Sequence, residues 1–194
     1  LSTSSAASDV YKRQENIQHG LVREALRLTG IESGVEITTI ADIPGQGTGL
    51  GSSSSVTVGL LNAMHAFKGR EASKEQLAEE ACQIEIDTLG APIGRQDQYA
   101  ASFGGVNSIR FGENGVQVEP IEVSEGLSKK FSENFTLVFT GMTRSASKVL
   151  SEQSDDEFDK NSRMREIRKH ADEAASFIQQ GDLNSLGSIP VSYT

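Results

Sequence analysis

A glycine- and serine-rich stretch, residues 43–55, is the part of the chain best suited to hold a charged ligand; it reads IPGQGTGLGSSSS. Glycine lacks a Cβ, so its backbone N–H groups can approach a ligand closely, and serine is favoured where a helix begins. A glycine-rich turn that leads into a helix binds anions, because unpaired N–H groups and the positive end of the helix dipole point the same way. The pattern predicts a phosphate-binding loop, with a surface turn and a serine N-cap as the alternative.

The loop differs from three well-known phosphate-binding motifs. No lysine follows the glycines, as the Walker A motif requires. The dinucleotide-binding fingerprint needs a third glycine where this chain has Leu50 or Ser52, and the protein-kinase loop needs one where it has Ser54. These three nucleotide-binding classes are therefore excluded for this stretch.

Two carboxylates further along the chain are candidates for the same chemistry. Glu85 lies beside the apolar face of a helix predicted from Ser73 to about Leu89, where an exposed helix carboxylate is the ordinary interpretation. Asp97 lies between glycine-bearing turns, which favours a fixed position. A carboxylate is a weak base near pH 7, so its value would lie in position and in charge balance as a hydroxyl attacks.

These stretches together resemble the GHMP kinases, the family of galactokinase and of homoserine, mevalonate and phosphomevalonate kinases. The sequence GLGSS at residues 49–53 matches the core of the family motif P-x-x-x-G-L-G-S-S, with Pro44 one residue further from the glycines than the motif asks. The pattern G-x-x-D-Q at residues 94–98, followed by glycines at 104 and 105, resembles the catalytic segment of the sugar kinases in this family.

The resemblance implies an ATP site in the loop and a Mg²⁺ site beside it. Mg²⁺ would be held by Ser53, with Ser52 as the rival hydroxyl, and by Glu85; Mg²⁺ prefers oxygen ligands and usually keeps several waters. Glu79 and Glu80 are weaker candidates for the carboxylate ligand. The residues expected to contact the ATP phosphates are Pro44, Gly45, Gly47, Gly49, Leu50, Gly51, Ser52, Ser53 and Ser54.

The resemblance also assigns roles around the substrate. Asp97 would accept the proton of the substrate hydroxyl, or at least orient that hydroxyl. Gln98 and Tyr99 are either structural or contact the sugar. Thr143 and Arg144 would lie near the transferred phosphate or the sugar, with a turn and helix cap as their alternative. The segments around Asp97 and Thr143 are most similar to the D-glycero-D-manno-heptose 7-phosphate kinase branch.

The implied function is ATP-dependent transfer of a γ-phosphoryl group to a hydroxyl of a sugar or sugar phosphate, by preference a heptose 7-phosphate. Galactokinase or fucokinase specificity is one alternative. A sensor with the same fold, which binds nucleotide and sugar without turnover, is another. The expected partners are nucleotide and sugar, and a homodimer is compatible with this interpretation.

Composition excludes several other classes. The chain has 194 residues and a net charge of −9, and an acidic chain is a poor non-specific binder of nucleic acid. No apolar run approaches the roughly 18 residues of a membrane span. The single cysteine, Cys82, excludes an internal disulfide framework and favours the cytoplasm. The three histidines are scattered without metal-ligand spacing.

The order of elements predicts an α+β fold. Helical periodicity covers 15–29, the segment after the loop and 155–180; alternation predicts strands at 35–40 and 135–140 and a hairpin formed by 105–111 and 116–121. The resemblance implies two domains: an N-terminal domain of the ribosomal protein S5 domain 2-like type at 15–127, and the start of a ferredoxin-like domain at 128–189.

The two ends do not fit this pattern. Residues 1–8 are low in complexity, and residues 5–14 and 190–194 resemble peptides translated from sequencing adapters. Both ends, residues 1–14 and 190–194, are predicted to be non-native or disordered tails. We therefore expect a kinase fragment that lacks the family's first and last motifs and is inactive alone.

Overall fold

The computed structural model describes residues 17–40, 49–138 and 157–190, with the backbone alone for 157–162. These residues form two compact units, one comprising 17–40 and 49–103, the other 104–138 and 157–190. The regular secondary structure of the described residues consists of helices and a small antiparallel hairpin, which confirms the predicted α+β class. The predicted domain boundary at residue 127 stays a prediction.

The first unit is helical and has an apolar core. Its elements are α1 (Gly20–Thr29), α2 (Ser52–Phe67), α3 (Lys74–Cys82), a π-helical segment (Gln83–Thr88) and α4 (Gln96–Phe103). The core lies between these helices and consists of Ala25, Leu26, Ile31, Val58, Leu60, Leu61, Met64, Leu77, Ala81 and Ile84. This packing fixes α2 against α1 and α3.

Helices α1 and α2 follow their sequence patterns with two differences. Gly30 ends α1 in the left-handed conformation at φ 69°, as its predicted stop. Helix α1 begins at Gly20, later than the predicted residue 15, because His19 adopts an extended conformation as the N-cap. In α2, Phe67 follows Leu60 and Met64 at helical spacing but is exposed, whereas they are buried.

The third helix begins as the sequence predicts. The Ser73 hydroxyl accepts a hydrogen bond from the Gln76 backbone N–H at 3.1 Å. Ser73 and Gln76 have the spacing of a capping box, but only this half of it forms, because the Gln76 side chain donates to Glu80 instead. The helix continues to Thr88, close to the predicted end, but its last six residues are a π-helix that the periodicity did not indicate. Such segments are rare and occur often at functional sites.

Replacing Ser73 with alanine should lower the free energy of unfolding by about 1 kcal/mol, because one backbone donor of α3 loses its acceptor. Urea denaturation followed by circular dichroism measures this difference. Ser73→Asp retains an acceptor and should remain close to the unaltered protein. Equal destabilisation by both substitutions would contradict the capping role.

Both isolated strand predictions are wrong for the residues that the structure describes. Residues 35–40 and 135–138 are neither helix nor strand, and residues 139–140 lie outside the described ranges. A strand needs a hydrogen-bonding neighbour; in the described ranges the sheet consists of the hairpin alone. Accordingly, Ile40 is 91% exposed and Leu137 is 80% exposed.

The second unit contains the predicted hairpin. Strand β1 (Asn107–Gly112) pairs antiparallel with β2 (Gly115–Pro120), and Gly112 lies opposite Gly115 across a two-residue loop. Gly115 has φ 108°, a conformation that side chains disfavour. The alternating pattern and the glycine positions thus predicted both strands and the turn.

Three helices complete the second unit: α5 (Glu125–Asn134), α6 (Glu157–Gln180) and α7 (Leu183–Gly187). Helix α6 covers the described part of the helix predicted at 155–180, and the short α7 follows it. Helix α5 was missed, although the Ser124 hydroxyl caps it by accepting from the Leu127 N–H at 3.2 Å. Arg110 of β1 forms an ion pair with Asp172 of α6 at 2.8 Å.

Candidate functional site

The end of the glycine-rich loop forms the start of helix α2. Gly51 is the N-cap residue and has φ 65°, and Gly49 has φ 71°; both conformations are readily adopted by glycine. The helix then runs for 16 residues from Ser52. A helix of this length carries a partial positive charge at its N-terminus, as the phosphate-loop prediction requires.

The carboxylate of Glu85 lies against this part of α2. The Ser54 hydroxyl donates to Glu85 Oε2 at 2.8 Å, and the Thr57 hydroxyl donates to Oε1 at 2.6 Å. The Gln98 side-chain amide of α4 donates to Oε2 at 2.6 Å. Three donors from two helices therefore hold one carboxylate, and Glu85 is not the solvated glutamate of the ordinary interpretation.

All four members of this network are removed from solvent: Glu85 is 2% exposed, Ser54 1%, and Thr57 and Gln98 0%. A buried charge is tolerated where hydrogen bonds stabilise it. Glu85 is carried by the π-helical segment, whose different pitch changes the direction of its side chains from that of a regular α-helix.

Asp97 also lies close to the start of α2. A Cβ at Gly51 would be 3.3 Å from Asp97 Cγ and 3.4 Å from Oδ2, so the carboxylate packs directly on the glycine backbone. Asp97 is exposed and belongs to the first turn of α4, rather than to the turn that its glycine neighbours suggested. The absence of a side chain at Gly51 is what allows this approach.

The other residues of the predicted ATP site are placed as follows. Ser53 is exposed, and its backbone carbonyl lies 2.9 Å from the Thr57 hydroxyl as a second acceptor beside Glu85. Ser54 contacts Glu85, whereas the assignment of the metal-binding hydroxyl to Ser53 or Ser52 stays a prediction. Leu50 is 46% exposed. Five predicted site residues lie outside the described ranges, namely Pro44, Gly45, Gly47, Thr143 and Arg144.

Tyr99 belongs to a separate polar cluster beside α3. Its hydroxyl donates to Glu79, which also forms an ion pair with Arg95, and the Arg95 guanidinium lies 5.7 Å from the centre of the Tyr99 ring. Burial, followed by the hydrogen bond to Glu79, raises the pKa of Tyr99 to about 12. Tyr99 thus has a structural environment, and Glu79 is engaged away from the Glu85 network.

The raised pKa of Tyr99 predicts a stability change at high pH. The neutral phenol is favoured in the folded state, so its contribution is complete below pH 10, the ordinary pKa, and is lost as the pH rises through about 12. Unfolding free energies should therefore fall more steeply across this range in the unaltered protein than in Tyr99→Phe. Parallel curves in urea denaturation from pH 9 to 12 would contradict this.

Two further groups near α3 are engaged elsewhere. Glu80 lies 2.7 Å from His65 Nε2, and His65 is 4% exposed. Burial raises the pKa of the Cys82 thiol, with an opposing effect from Arg95. Glu80 is therefore engaged with His65 and is not part of the Glu85 network.

The oxygen atoms beside the loop suit Mg²⁺ better than a metal ion whose ligands all come from the protein. In the part of the chain that the structure describes, no three His, Cys, Asp or Glu residues converge as a metal cage. Mg²⁺ typically takes one or two carboxylates and completes its coordination with waters and phosphates. Glu85 and the hydroxyl of Ser54 offer oxygen atoms of this kind at the start of α2.

Sequence reasoning missed Thr57 and left Gln98 undecided. Thr57 lies three residues after Ser54 on α2, so both side chains share one face of the helix. The three-residue spacing of Ser54 and Thr57 was visible in the sequence. It indicates a shared contact only once Glu85 is known to lie opposite this face.

The arrangement agrees with a match to a family model. Residues 16–105 match the model described as the GHMP kinases N terminal domain. Residues 16–105 are a GHMP kinase N-terminal domain. The loop, Glu85 and Asp97 all fall within the matched range.

Two relatives of the GHMP kinase domain are informative. The chain is 31% identical over 154 residues to the D-glycero-alpha-D-manno-heptose 7-phosphate kinase of Campylobacter jejuni, covering 78% of this chain and 45% of that protein. It is 28% identical over 182 residues to the L-fucokinase/L-fucose-1-P guanylyltransferase of Bacteroides fragilis, covering 89% of this chain and 18% of that protein.

Solved structures show the same fold. A D-glycero-D-manno-heptose 1-phosphate kinase from Bacteroides thetaiotaomicron matches with a TM-score of 0.70 and 26% identity, covering 88% of this chain and 52% of that one. A proposed sugar kinase from Campylobacter jejuni matches with a TM-score of 0.58 and 31% identity, covering 76% and 42%. The chain thus spans about half the length of these solved structures.

Among the described residues, no helix is both long and apolar enough to cross a bilayer.

Proposed function

We propose that this chain forms the nucleotide-binding part of an ATP-dependent kinase that phosphorylates a hydroxyl of a sugar or sugar phosphate. The observation that carries the proposal is the contact between Asp97 and Gly51 at the start of α2. A carboxylate there repels a phosphate but can accept the proton of a hydroxyl that attacks a phosphate bound to the loop. The Asp97 carboxylate would therefore orient the hydroxyl that accepts the phosphoryl group.

The proposed mechanism is direct in-line transfer. Loop N–H groups and the positive end of α2 would bind the ATP phosphates, and Asp97 would orient the acceptor hydroxyl and take its proton. Glu85 and a loop hydroxyl, Ser53 by the motif or Ser54 by its hydrogen bond, would hold Mg²⁺, whose charge offsets that of the phosphates. No covalent enzyme intermediate is needed.

A heptose 7-phosphate is the proposed substrate. The Campylobacter jejuni relative is named for this substrate, and a structural relative is named for heptose 1-phosphate phosphorylation. L-fucose is the alternative acceptor that the Bacteroides fragilis relative supports. Galactose is the third proposed acceptor, because the sequence resembles the family that includes galactokinase.

The test is ADP release by the chain extended with its flanking coding sequence, assayed with Mg²⁺ and a panel of acceptors. The panel contains D-glycero-D-manno-heptose 7-phosphate, L-fucose, galactose and a buffer blank. We expect the largest specificity constant for the heptose phosphate. Nucleotide binding without turnover on any acceptor would contradict the kinase and favour a sensor.

Other sequence-based expectations stay proposals. A cytoplasmic location is proposed from the single cysteine, Cys82, which is a free, buried thiol. A homodimer and the domain ranges 15–127 and 128–189 are also proposed.

A further inference from the structure

We propose that Gln98 is a positioning residue that fixes the carboxylate of Glu85 for metal-dependent nucleotide binding, and that it does not contact the sugar. The inference rests on the proposed function, since it takes Glu85 as the carboxylate that holds the cation accompanying ATP. Gln98 follows Asp97 directly in α4, so one short helix would supply both the proton acceptor and the support for the metal ligand.

The geometry fixes the orientation of the Gln98 amide. Gln98 Nε2 lies 2.6 Å from Glu85 Oε2. An ionised carboxylate can only accept hydrogen bonds, so the amide nitrogen, and not its oxygen, must face Glu85. The Ser54 hydroxyl donates to the same oxygen from α2. The carboxylate is therefore held between α2 and α4, and Thr57 holds its other oxygen.

The other end of the amide argues against a role in packing alone. Gln98 Oε1 is buried and has no hydrogen-bond partner among the described residues. A buried acceptor without a partner is unfavourable, so an apolar side chain of similar size would pack better at this position. The amide is explained by the donor that it presents to Glu85.

Burial also decides between the two roles that the sequence leaves open for Gln98. Its side chain is 0% exposed, whereas the neighbouring Asp97 is exposed beside Gly51. A sugar that reaches Asp97 from solvent would therefore not touch Gln98. Gln98 can act on the reaction through Glu85.

The experiment measures ADP affinity by calorimetry for this chain, first with EDTA and then with saturating Mg²⁺. Gln98→Met keeps the side-chain length and removes the donor. We expect it to reduce the tightening of ADP binding by Mg²⁺ by about tenfold, at the lower end of the effect of a partner that orients a metal ligand. The affinity in EDTA should stay unchanged.

The matched control is Gln83→Met, which makes the same change at an exposed position on the π-helical segment that carries Glu85. It should leave the Mg²⁺ effect intact. A double-mutant cycle with Glu85→Gln tests the route of action: once Glu85 is replaced, Gln98→Met should cause no further loss of the Mg²⁺ effect. If Gln98→Met does not fold, Gln98→Asn serves the same purpose, because its shorter amide does not reach Glu85.

The outcomes separate this inference from the proposed function. An unchanged Mg²⁺ effect in Gln98→Met would overturn the positioning role. Equal losses of affinity in EDTA and in Mg²⁺ would also overturn it, since they would indicate a structural defect. If the unaltered chain binds ADP with no response to Mg²⁺, the metal role of Glu85, and with it the proposed function, is contradicted first.

Discussion

Asp97→Asn should lower phosphoryl transfer by about 100- to 10,000-fold in the extended protein while leaving ATP binding largely intact. The carboxylate lies against Gly51, where it can reach an acceptor hydroxyl in front of the loop. Asparagine retains the shape but cannot accept the proton from the attacking oxygen. Turnover is measured by ADP release, and ATP affinity by calorimetry.

The control for Asp97→Asn is Asp87→Asn, the same change at an exposed position in the same unit. It should leave turnover within about twofold of the unaltered protein, as surface substitutions usually do. Full turnover in Asp97→Asn would remove Asp97 from the role of base. A loss of ATP binding equal to the loss of turnover would place it in nucleotide binding instead.

Glu85→Ala should lower the free energy of unfolding more than Ser73→Ala does. It should also remove the effect of Mg²⁺ on nucleotide binding. It leaves the buried donors of Ser54 and Gln98 without their acceptor, whereas the Thr57 hydroxyl still has the Ser53 carbonyl at 2.9 Å. Each buried donor left unpaired costs about 1–3 kcal/mol, so a fall on the order of 3 kcal/mol in the free energy of unfolding is expected. Urea denaturation measures it.

Glu85→Gln distinguishes the charge from the packing. It retains the size of the side chain, so it should destabilise the fold less than Glu85→Ala, yet it should abolish most of the Mg²⁺ effect on ADP binding. Glu71→Ala, at an exposed position before α3, is the control and should alter neither quantity. A full Mg²⁺ effect in Glu85→Gln would contradict its role as a metal ligand.

The parts of the fold that sequence predicts well have local causes. The hairpin follows from alternation and from glycines at 112 and 115, and the end of α1 follows from one glycine at position 30. The strand predicted at 35–40 fails because a strand depends on a partner elsewhere in the chain, which its own residues do not encode.

The sequence indicated Glu85 and Asp97 as members of the candidate site, but it indicated neither Thr57 nor the contacts among these residues. The resemblance brought out Glu85 and Asp97, whereas the partners of Glu85 lie 31, 28 and 13 residues away and depend on how helices pack. Helical periodicity could not reveal the π-helical segment or that Asp97 begins a helix. These features depend on tertiary packing, which the sequence pattern does not specify.

Following the γ-phosphoryl group itself tests whether the extended protein is a sugar kinase. The extended protein is incubated with γ-labelled ATP, Mg²⁺ and D-glycero-D-manno-heptose 7-phosphate, and the label in sugar, in free phosphate and in ATP is separated and counted. We predict that label appears in a heptose bisphosphate in the same amount as ADP and that Asp97→Asn prevents it. Label that appears only as free phosphate, or that stays in bound ATP, would contradict a sugar kinase.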